Sequence, residues 1–130
     1  MVHRTELQMR FSDTDALGHV NNIAFASYAE TGRVDFLARL GESVTSLILA
    51  NVTIDYRRQV SFGERLCIDT WVEALGRSSI TLGQTIWAND ERAADVRSVA
   101  VYFDYKTNKP IELTEAIRTV LGPMIKSPTG

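Results

Sequence analysis

The 130-residue sequence contains only one cysteine, two histidines and three prolines. The single cysteine, Cys67, cannot form an intramolecular disulfide, and with two histidines it does not complete the usual four-ligand zinc site. No segment approaches the ~18 apolar residues that cross a bilayer, and the N-terminal residues lack the apolar core of a signal peptide. The sequence therefore predicts a soluble domain in a reducing compartment, which favours the cytoplasm.

An excess of one charge is also missing. The chain has 14 Lys and Arg residues against 16 Asp and Glu residues, a formal net charge of −2 at pH 7. This balance removes the electrostatic reason to expect nucleic acid or an anionic membrane as a partner. Hydrophobic residues make up 45% of the chain and charged residues 23%, which excludes disordered, collagen-like and coiled-coil classes. The length predicts one domain over residues 1–130.

The period of the apolar residues changes along the first third of the chain. Strict alternation over residues 3–11 predicts a half-buried strand. Apolar residues at helical spacing over residues 22–40 predict a helix that is capped by Asn21 or Asn22 and closed by Gly41. Because this helix is apolar on more than one stripe, we expect it to be covered on most sides. Gly32 in its interior suggests a close approach by neighbouring backbone.

The rest of the chain is typical of strands. Alternating, β-branched and aromatic residues predict four of them, at residues 47–58, 66–75, 78–88 and 93–105. A short helix is expected at about residues 114–121, and residues 128–130 resemble a frayed tail. The connections between the last strands are too short for parallel crossovers. The sequence thus predicts an α+β fold with an antiparallel sheet packed around a helix.

Potential chemistry is concentrated in the run DTDALGHVNN at residues 13–22, between the first strand and the helix. These ten residues contain two carboxylates, one imidazole and two carboxamides. Such residues also form turns and helix caps, and a purely structural role is the alternative. The run ends at the positive N-terminal end of a helix, where backbone N–H groups can hold an anion that develops during a reaction. A carboxylate beside such groups is a minimal constellation for hydrolysis.

This run, with Phe25, Tyr28, Glu30 and Arg33, resembles the 4-hydroxybenzoyl-CoA thioesterase branch of the hotdog-fold acyl-thioester hydrolases. The resemblance continues through YRRQV at 56–60, FGERL at 62–66, LGRSS at 75–79 and FDY at 103–105. It implies a hotdog fold, in which a curved antiparallel sheet of about five strands wraps around one long central helix. It also implies a homodimer or homotetramer whose active sites lie between subunits.

By this resemblance, Asp15 is the catalytic carboxylate, which attacks the thioester carbonyl directly or deprotonates a water molecule. The backbone N–H of Asn22 polarises the carbonyl oxygen, and His19 lies beside the acyl group. A structural role in the turn is the alternative for His19, and Asp13 is interpreted as a brace of the turn. A thioester is already activated, so one carboxylate and one oxyanion donor suffice without a serine nucleophile, a metal or another cofactor.

The resemblance also assigns the substrate-binding residues. Phe25 and Tyr28, with side chains of a second subunit, are expected to line the acyl pocket. Arg77, with Ser78 adjacent, matches the position where the family contacts coenzyme A phosphates, which guanidinium groups bind bidentately. The remaining arginines near it in the strands are expected to be solvated surface residues: Arg57, Arg58 and Arg65.

The sequence therefore predicts an acyl-CoA thioesterase, with several alternatives. Glu30 and Arg33 are one helical turn apart and can pair on the helix surface. Glu30 is an alternative catalytic acid, because another branch of the family uses a helix glutamate. The alternative functions are an acyl-carrier-protein thioesterase, a dehydratase of hydroxyacyl thioesters and a non-catalytic acyl-thioester-binding module. No nucleophile elbow, P-loop or dinucleotide glycine motif occurs in the sequence.

Overall fold

The computed structural model of the protein describes residues 2–39 and 47–125. Its elements in chain order are β1 (His3–Leu7), a 3-10 turn (Phe11–Asp13), α1 (Asn22–Arg39), β2 (Leu47–Tyr56), β3 (Leu66–Leu75), β4 (Ser79–Ala88), β5 (Glu91–Asp104), β6 (Lys109–Pro110), α2 (Glu115–Leu121) and a second 3-10 turn (Gly122–Met124). Leu40 and Gly41, where the end of the first helix was expected, and the tail at residues 128–130 lie outside the described residues.

The strands form one antiparallel sheet in the order β1-β3-β4-β5-β2, and the two-residue β6 pairs with the end of β5. Consecutive hairpins build its centre, with Leu66 opposite Ala88 and Leu75 opposite Ile80 in the β3–β4 pair. Alternate residues of β3 are buried, as the sequence pattern predicts. The α+β class and the antiparallel sheet are confirmed. The strands β1 and β2 are the two edges of this sheet.

Helix α1 packs on one face of the sheet against β1, β3 and β4. One apolar cluster includes Phe25 near the start of the helix, and a second includes Phe36 near its end. A Cβ atom at Gly32 would lie 2.7 Å from Ile68 Cγ2 and 2.8 Å from Gln84 Nε2. The close approach expected at Gly32 therefore comes from two side chains, and the prediction of neighbouring backbone there is wrong.

Two further expectations about local structure are wrong. The first strand ends at Leu7, because the chain turns inward at the buried Met9 and leaves Phe11 75% exposed in the 3-10 turn. Helix α1 is not covered on most sides in the single chain, since Ile23 is 83% and Val34 46% exposed. An antiparallel sheet with a helix packed against it is therefore what the single chain contains.

The Arg33 side chain lies on the buried face of α1, so the predicted surface pair of Glu30 and Arg33 is also wrong. The Arg33 side chain is buried, and its Nη1 donates to Ser98 Oγ at 3.1 Å and to Gln84 Oε1 at 3.5 Å. Gln84 in turn donates to the carbonyl oxygen of Ala29 at 2.9 Å. Burial lowers the pKa of Arg33, because water no longer solvates its charge. Glu30 stays exposed on the helix.

Candidate active site

Residues 13–22 form a tight turn between β1 and α1. Thr14 and Val20 make an antiparallel bridge, and the Asp15 N–H donates to the His19 carbonyl oxygen at 2.7 Å. Gly18 closes the turn with a φ of 82°, a conformation that residues with a side chain rarely adopt. Its N–H donates to the Asp15 carbonyl oxygen at 3.1 Å. Asp15 and His19 therefore lie opposite each other in the turn.

The Asp15 carboxylate is exposed, and backbone N–H groups hold it on one side. Its Oδ1 accepts hydrogen bonds from the Leu17 N–H at 2.8 Å and the His19 N–H at 3.2 Å. These bonds, the Leu17 bond first, lower the pKa of Asp15 because they stabilise its ionised form. Both donors bond Oδ1, and no described residue donates a side-chain or loop hydrogen bond to Oδ2. The ionised group therefore presents one oxygen to a substrate or a water molecule.

The N-terminus of α1 follows directly. Asn21 Oδ1 accepts a hydrogen bond from the Ala24 N–H at 2.8 Å, so Asn21 is the helix cap. Among the described residues, no acceptor binds the N–H of Asn22 or Ile23, which belong to the unpaired first turn. The helix dipole makes these N–H groups favourable donors to an anion. Asn22 thus retains the donor that an oxyanion role requires.

Asp13 anchors the turn to the helix. Its buried carboxylate accepts hydrogen bonds from the Tyr28 hydroxyl at 2.8 Å, the Arg10 N–H at 2.9 Å and the Arg10 guanidinium at 3.0 Å. Burial acts to raise the pKa of Asp13, but these three bonds outweigh it and the pKa is lowered. The Asn21 N–H also donates to the Asp13 carbonyl oxygen at 2.9 Å. This geometry supports the interpretation of Asp13 as a brace.

Phe25 and Tyr28 belong to the first two turns of α1, and both side chains are buried in the single chain. The Phe25 ring meets the Tyr56 ring edge-on, with centroids 5.3 Å apart. The Tyr56 hydroxyl donates to the carbonyl oxygen of Asn22 at 3.1 Å. Tyr56 on β2 therefore ties the start of the helix to the sheet. This role of Tyr56 was not predicted from sequence, although its place in the YRRQV segment is a signal that points to it.

The exposed Asp15 side chain lies outside two concave surfaces of the single chain. Two concave surfaces lie elsewhere: one of about 590 Å³ beside β1 and β3, and one of about 340 Å³ on the outer face of the central strands. Neither includes Asp15 or Asn22. Two large apolar side chains close in sequence to Asp15 and Asn22 are strongly exposed: Leu17 at 80% and Ile23 at 83%. Exposed apolar surface therefore borders the candidate carboxylate and the start of the helix.

Arg77 and Ser78 lie in the turn between β3 and β4, remote from Asp15. Arg77 is exposed, and its Nε lies 3.7 Å from Glu112 Oε1. The Asp15 turn pairs with residues 60–62, just before β3 begins, whereas Arg77 follows the end of β3. Ten residues of strand separate these ends by roughly 30 Å. The structure does not bring Arg77 and Asp15 together within one chain.

The other strand arginines differ from one another. Arg57 and Arg65 are exposed and form surface ion pairs with Asp95 and Asp90, as expected for solvated residues. Arg58 is partly buried and bonds Glu64, so the prediction that it is a solvated surface residue is wrong.

Among the described residues, no three His, Cys, Asp or Glu side chains lie close enough to ligate a metal ion. Neither α1 nor α2 has the length and hydropathy needed to span a membrane.

Comparison with known proteins identifies a family and several similar chains. The Thioesterase-like superfamily matches residues 9–121. The chain is 28% identical to the long-chain acyl-CoA thioesterase FadM of Escherichia coli (strain K12), over 95% of this chain and 99% of FadM. It is 25% identical to the chloroplastic acyl-acyl carrier protein thioesterase ATL3 of Arabidopsis thaliana over 90% of this chain, and spans 66% of the length of ATL3. A thioesterase from Thermus thermophilus, solved with coenzyme A and Zn, superposes with a TM-score of 0.85 at 33% identity, covering 92% of this chain and 91% of that one.

Proposed function

Because the chain belongs to the thioesterase-like superfamily, we propose that it hydrolyses acyl-CoA thioesters to a free acid and coenzyme A. The resemblance to hotdog-type thioesterases is confirmed by the family match. Relatives that are named as thioesterases support a thioester hydrolase. The observation that carries the proposal is the Asp15 carboxylate, which two N–H donors hold ionised at the entry to α1.

In the proposed reaction, Asp15 attacks the thioester carbonyl through Oδ2 or deprotonates a water molecule that attacks. Negative charge develops on the carbonyl oxygen in both routes, and the Asn22 N–H stabilises it. Collapse of this intermediate expels the coenzyme A thiolate. In the direct route, an anhydride between Asp15 and the acyl group forms first, and water then hydrolyses it. His19, across the turn from Asp15, lies beside the acyl group.

The acyl group is proposed to bind over Phe25 and Tyr28. Both residues belong to the first two turns of α1 and are close in sequence to the unpaired N–H groups of Asn22 and Ile23. They supply only an apolar floor, since both rings are buried in the single chain. The walls are therefore proposed to come from a second copy, which would also cover exposed apolar residues such as Ile23.

The same second copy is proposed to bring Arg77 and Ser78 to the substrate. Within one chain these residues lie about one strand length from Asp15, so they can contact a substrate held by Asp15 only in another copy. Strand β2 offers the surface for this association: among the described strands it pairs only with β5, and its Leu49 and Val52 are exposed. Unpaired apolar edges of this kind are protected by symmetric pairing in many oligomers.

The test is thiol release from a panel of acyl-CoA substrates by the wild type and by Asp15→Asn. The substitution keeps the size of the side chain and removes its charge, so kcat is expected to fall roughly 10²-fold or more. Asp90→Asn is the matched control, because Asp90 is also an exposed turn residue and adopts a φ of 64° that asparagine tolerates. Undiminished activity of Asp15→Asn contradicts the assignment. Binding of acyl-CoA without thiol release identifies a non-catalytic module.

The similarity to ATL3, named as an acyl-acyl carrier protein thioesterase, favours a carrier-protein substrate as the second candidate. The two substrates share the thioester and the pantetheine arm but differ in what lies beyond them. Comparison of kcat/KM for the same acyl group on coenzyme A, on an acyl carrier protein and on pantetheine distinguishes them. A clear preference for the carrier protein replaces the coenzyme A assignment and leaves the role of Asp15 unchanged.

A further inference from the structure

We propose that Arg58 and Glu64 are a positioning pair, which holds the Asp15 turn in its reactive geometry. The inference rests on the proposed thioester hydrolysis and goes beyond it. Neither residue touches the reacting atoms. Both act through the loop of residues 59–64, which lies between the end of β2 and the start of β3 and pairs with the turn.

On the sheet side, the Arg58 guanidinium connects this loop to the end of β4. Its Nη2 donates to the Ala88 carbonyl oxygen at 2.6 Å and to Glu64 Oε1 at 2.8 Å. Its Nη1 donates to the Gln59 carbonyl oxygen at 2.8 Å and to Glu64 Oε2 at 3.2 Å. The two side chains are only 27% and 17% exposed. This bidentate, partly buried arrangement restricts the loop far more than a solvated ion pair does.

On the turn side, Glu64 passes this restraint to the candidate site. Its Oε2 accepts a hydrogen bond from the Ser61 N–H at 2.6 Å. Ser61 in turn forms an antiparallel bridge with His19. Two flanking hydrogen bonds complete the pairing of loop and turn, at 2.7 Å from Val20 N–H to Val60 O and at 3.1 Å from Phe62 N–H to Gly18 O.

His19 is the residue through which the restraint reaches Asp15. Its neighbours Gly18 and Val20 make the hydrogen bonds to the loop, while its own N–H and carbonyl oxygen bond Asp15. If the loop shifts, these bonds lengthen and the carboxylate moves relative to the Asn22 N–H. The brace formed by Asp13 and Tyr28 acts from the helix side and does not replace the restraint from the sheet side.

The pair is charged under the conditions of the reaction. The hydrogen bond from Arg58 is the largest effect on Glu64, and it lowers the pKa of that carboxyl group. Glu64→Gln therefore keeps the shape of the side chain but removes the carboxylate charge that both Nη atoms of Arg58 contact. The Glu91 carboxylate, whose Oε2 lies 3.2 Å from Arg58 Nε, is unchanged in both variants. Asp69→Asn is the matched control, because Asp69 accepts two hydrogen bonds from Arg4, at 2.8 and 3.0 Å, in a pair that joins β1 to β3.

The experiment measures kcat, KM and the pH profile of the wild type, Glu64→Gln and Asp69→Asn. We expect Glu64→Gln to lower kcat roughly 10- to 100-fold with little change in KM, since small misplacements of a reacting group carry losses of this size. The weakened bonds to Asp15 let its pKa rise, so the acid limb of kcat/KM moves to higher pH. His19 is the titratable neighbour of Asp15 and is unchanged in both variants. A general loss of stability does not move this limb.

Amide hydrogen exchange of Leu17 and His19 tests the restraint without any activity. Faster exchange at both positions in Glu64→Gln but not in Asp69→Asn supports the proposal. If the wild type releases no thiol, the proposed function fails, while the exchange rates still decide the positioning role. Arg58→Lys serves as a second variant if Glu64→Gln does not fold, because it keeps the charge and loses the fork. The proposal is overturned if Glu64→Gln and Asp69→Asn have equal kcat, the same acid limb in the pH profile of kcat/KM, or equal exchange rates at Leu17 and His19.

Discussion

Replacement of Tyr28 by phenylalanine removes one hydrogen bond to the buried Asp13 carboxylate and leaves the packing of the ring in place. The hydroxyl donates to Asp13 Oδ2 at 2.8 Å, and Asp13 is 5% exposed. Since no water replaces the lost donor easily, the free energy of unfolding is expected to fall by about 1.5–3 kcal/mol, the range for hydrogen bonds to charged groups. The two bonds from Arg10 remain and prevent a larger loss.

The size of this effect depends on pH in a defined direction. The pKa of Asp13 is lowered in the folded protein, so the group stabilises the fold above the ordinary pKa of aspartate and loses this contribution as the pH falls through its folded value. Tyr28→Phe removes a donor to the ionised form and therefore raises this folded pKa. The difference between the variant and the wild type is thus full near pH 7 and shrinks below about pH 4.

Urea unfolding at pH 7 and at about pH 3, at one fixed protomer concentration, measures this difference. With a slope of about 1–3 kcal/mol/M, the midpoint of Tyr28→Phe is expected to fall by roughly 1 M urea at pH 7. Tyr105→Phe is the control, since Tyr105 is 62% exposed and directly follows the end of β5. Equal midpoints for Tyr28→Phe and the wild type at pH 7, or a difference that grows at acid pH, refute the reasoning.

Gly32→Ala places a methyl group within 2.8 Å of Ile68 and Gln84. Overpacking of about 1–3 kcal/mol outweighs a gain of about 1 kcal/mol in helix propensity, so thermal unfolding is expected at a lower temperature. Arg77→Ala should raise KM for acyl-CoA and leave hydrolysis of an acyl-pantetheine unchanged; equal losses on both substrates contradict the phosphate contact. Light scattering is expected to give the mass of a dimer or tetramer, and a monomeric mass removes the two-copy site. One turnover in ¹⁸O-labelled water that leaves label in Asp15 proves the covalent route, whereas unlabelled Asp15 is compatible with both routes.

Elements whose residues alternate or repeat regularly were predictable from sequence. The bounds of β3 agree with the pattern because each of its side chains faces either the core or solvent, and this choice shows in the residue type. The same alternation made the first predicted strand, residues 3–11, longer than the observed β1. Phe11 continues the alternation, but the 3-10 turn that carries it depends on the Asp13 carboxylate receiving the Arg10 N–H.

The location of the candidate site was also visible in the sequence, because turn and cap chemistry is local. Two of its details depended on contacts between elements. The choice of Asn21 as the cap followed from the bond between its side chain and the Ala24 N–H. The hydrogen bond from the Tyr28 hydroxyl to Asp13 depended on how α1 packs beside the turn. Such distances depend on packing and have no counterpart in residue spacing.

The sequence by itself determined the element types, the antiparallel order of hairpins and the place of the reactive run, since all three depend on neighbouring residues. Only the tertiary structure decided which charged residues leave the surface. Arg58 and Arg33 look like surface residues in sequence, yet the Arg58 side chain joins a loop to the end of β4, and the Arg33 side chain is buried on the inner face of α1. An arginine is buried only where acceptors from distant strands converge on its guanidinium, and the register of the folded sheet decides where they do.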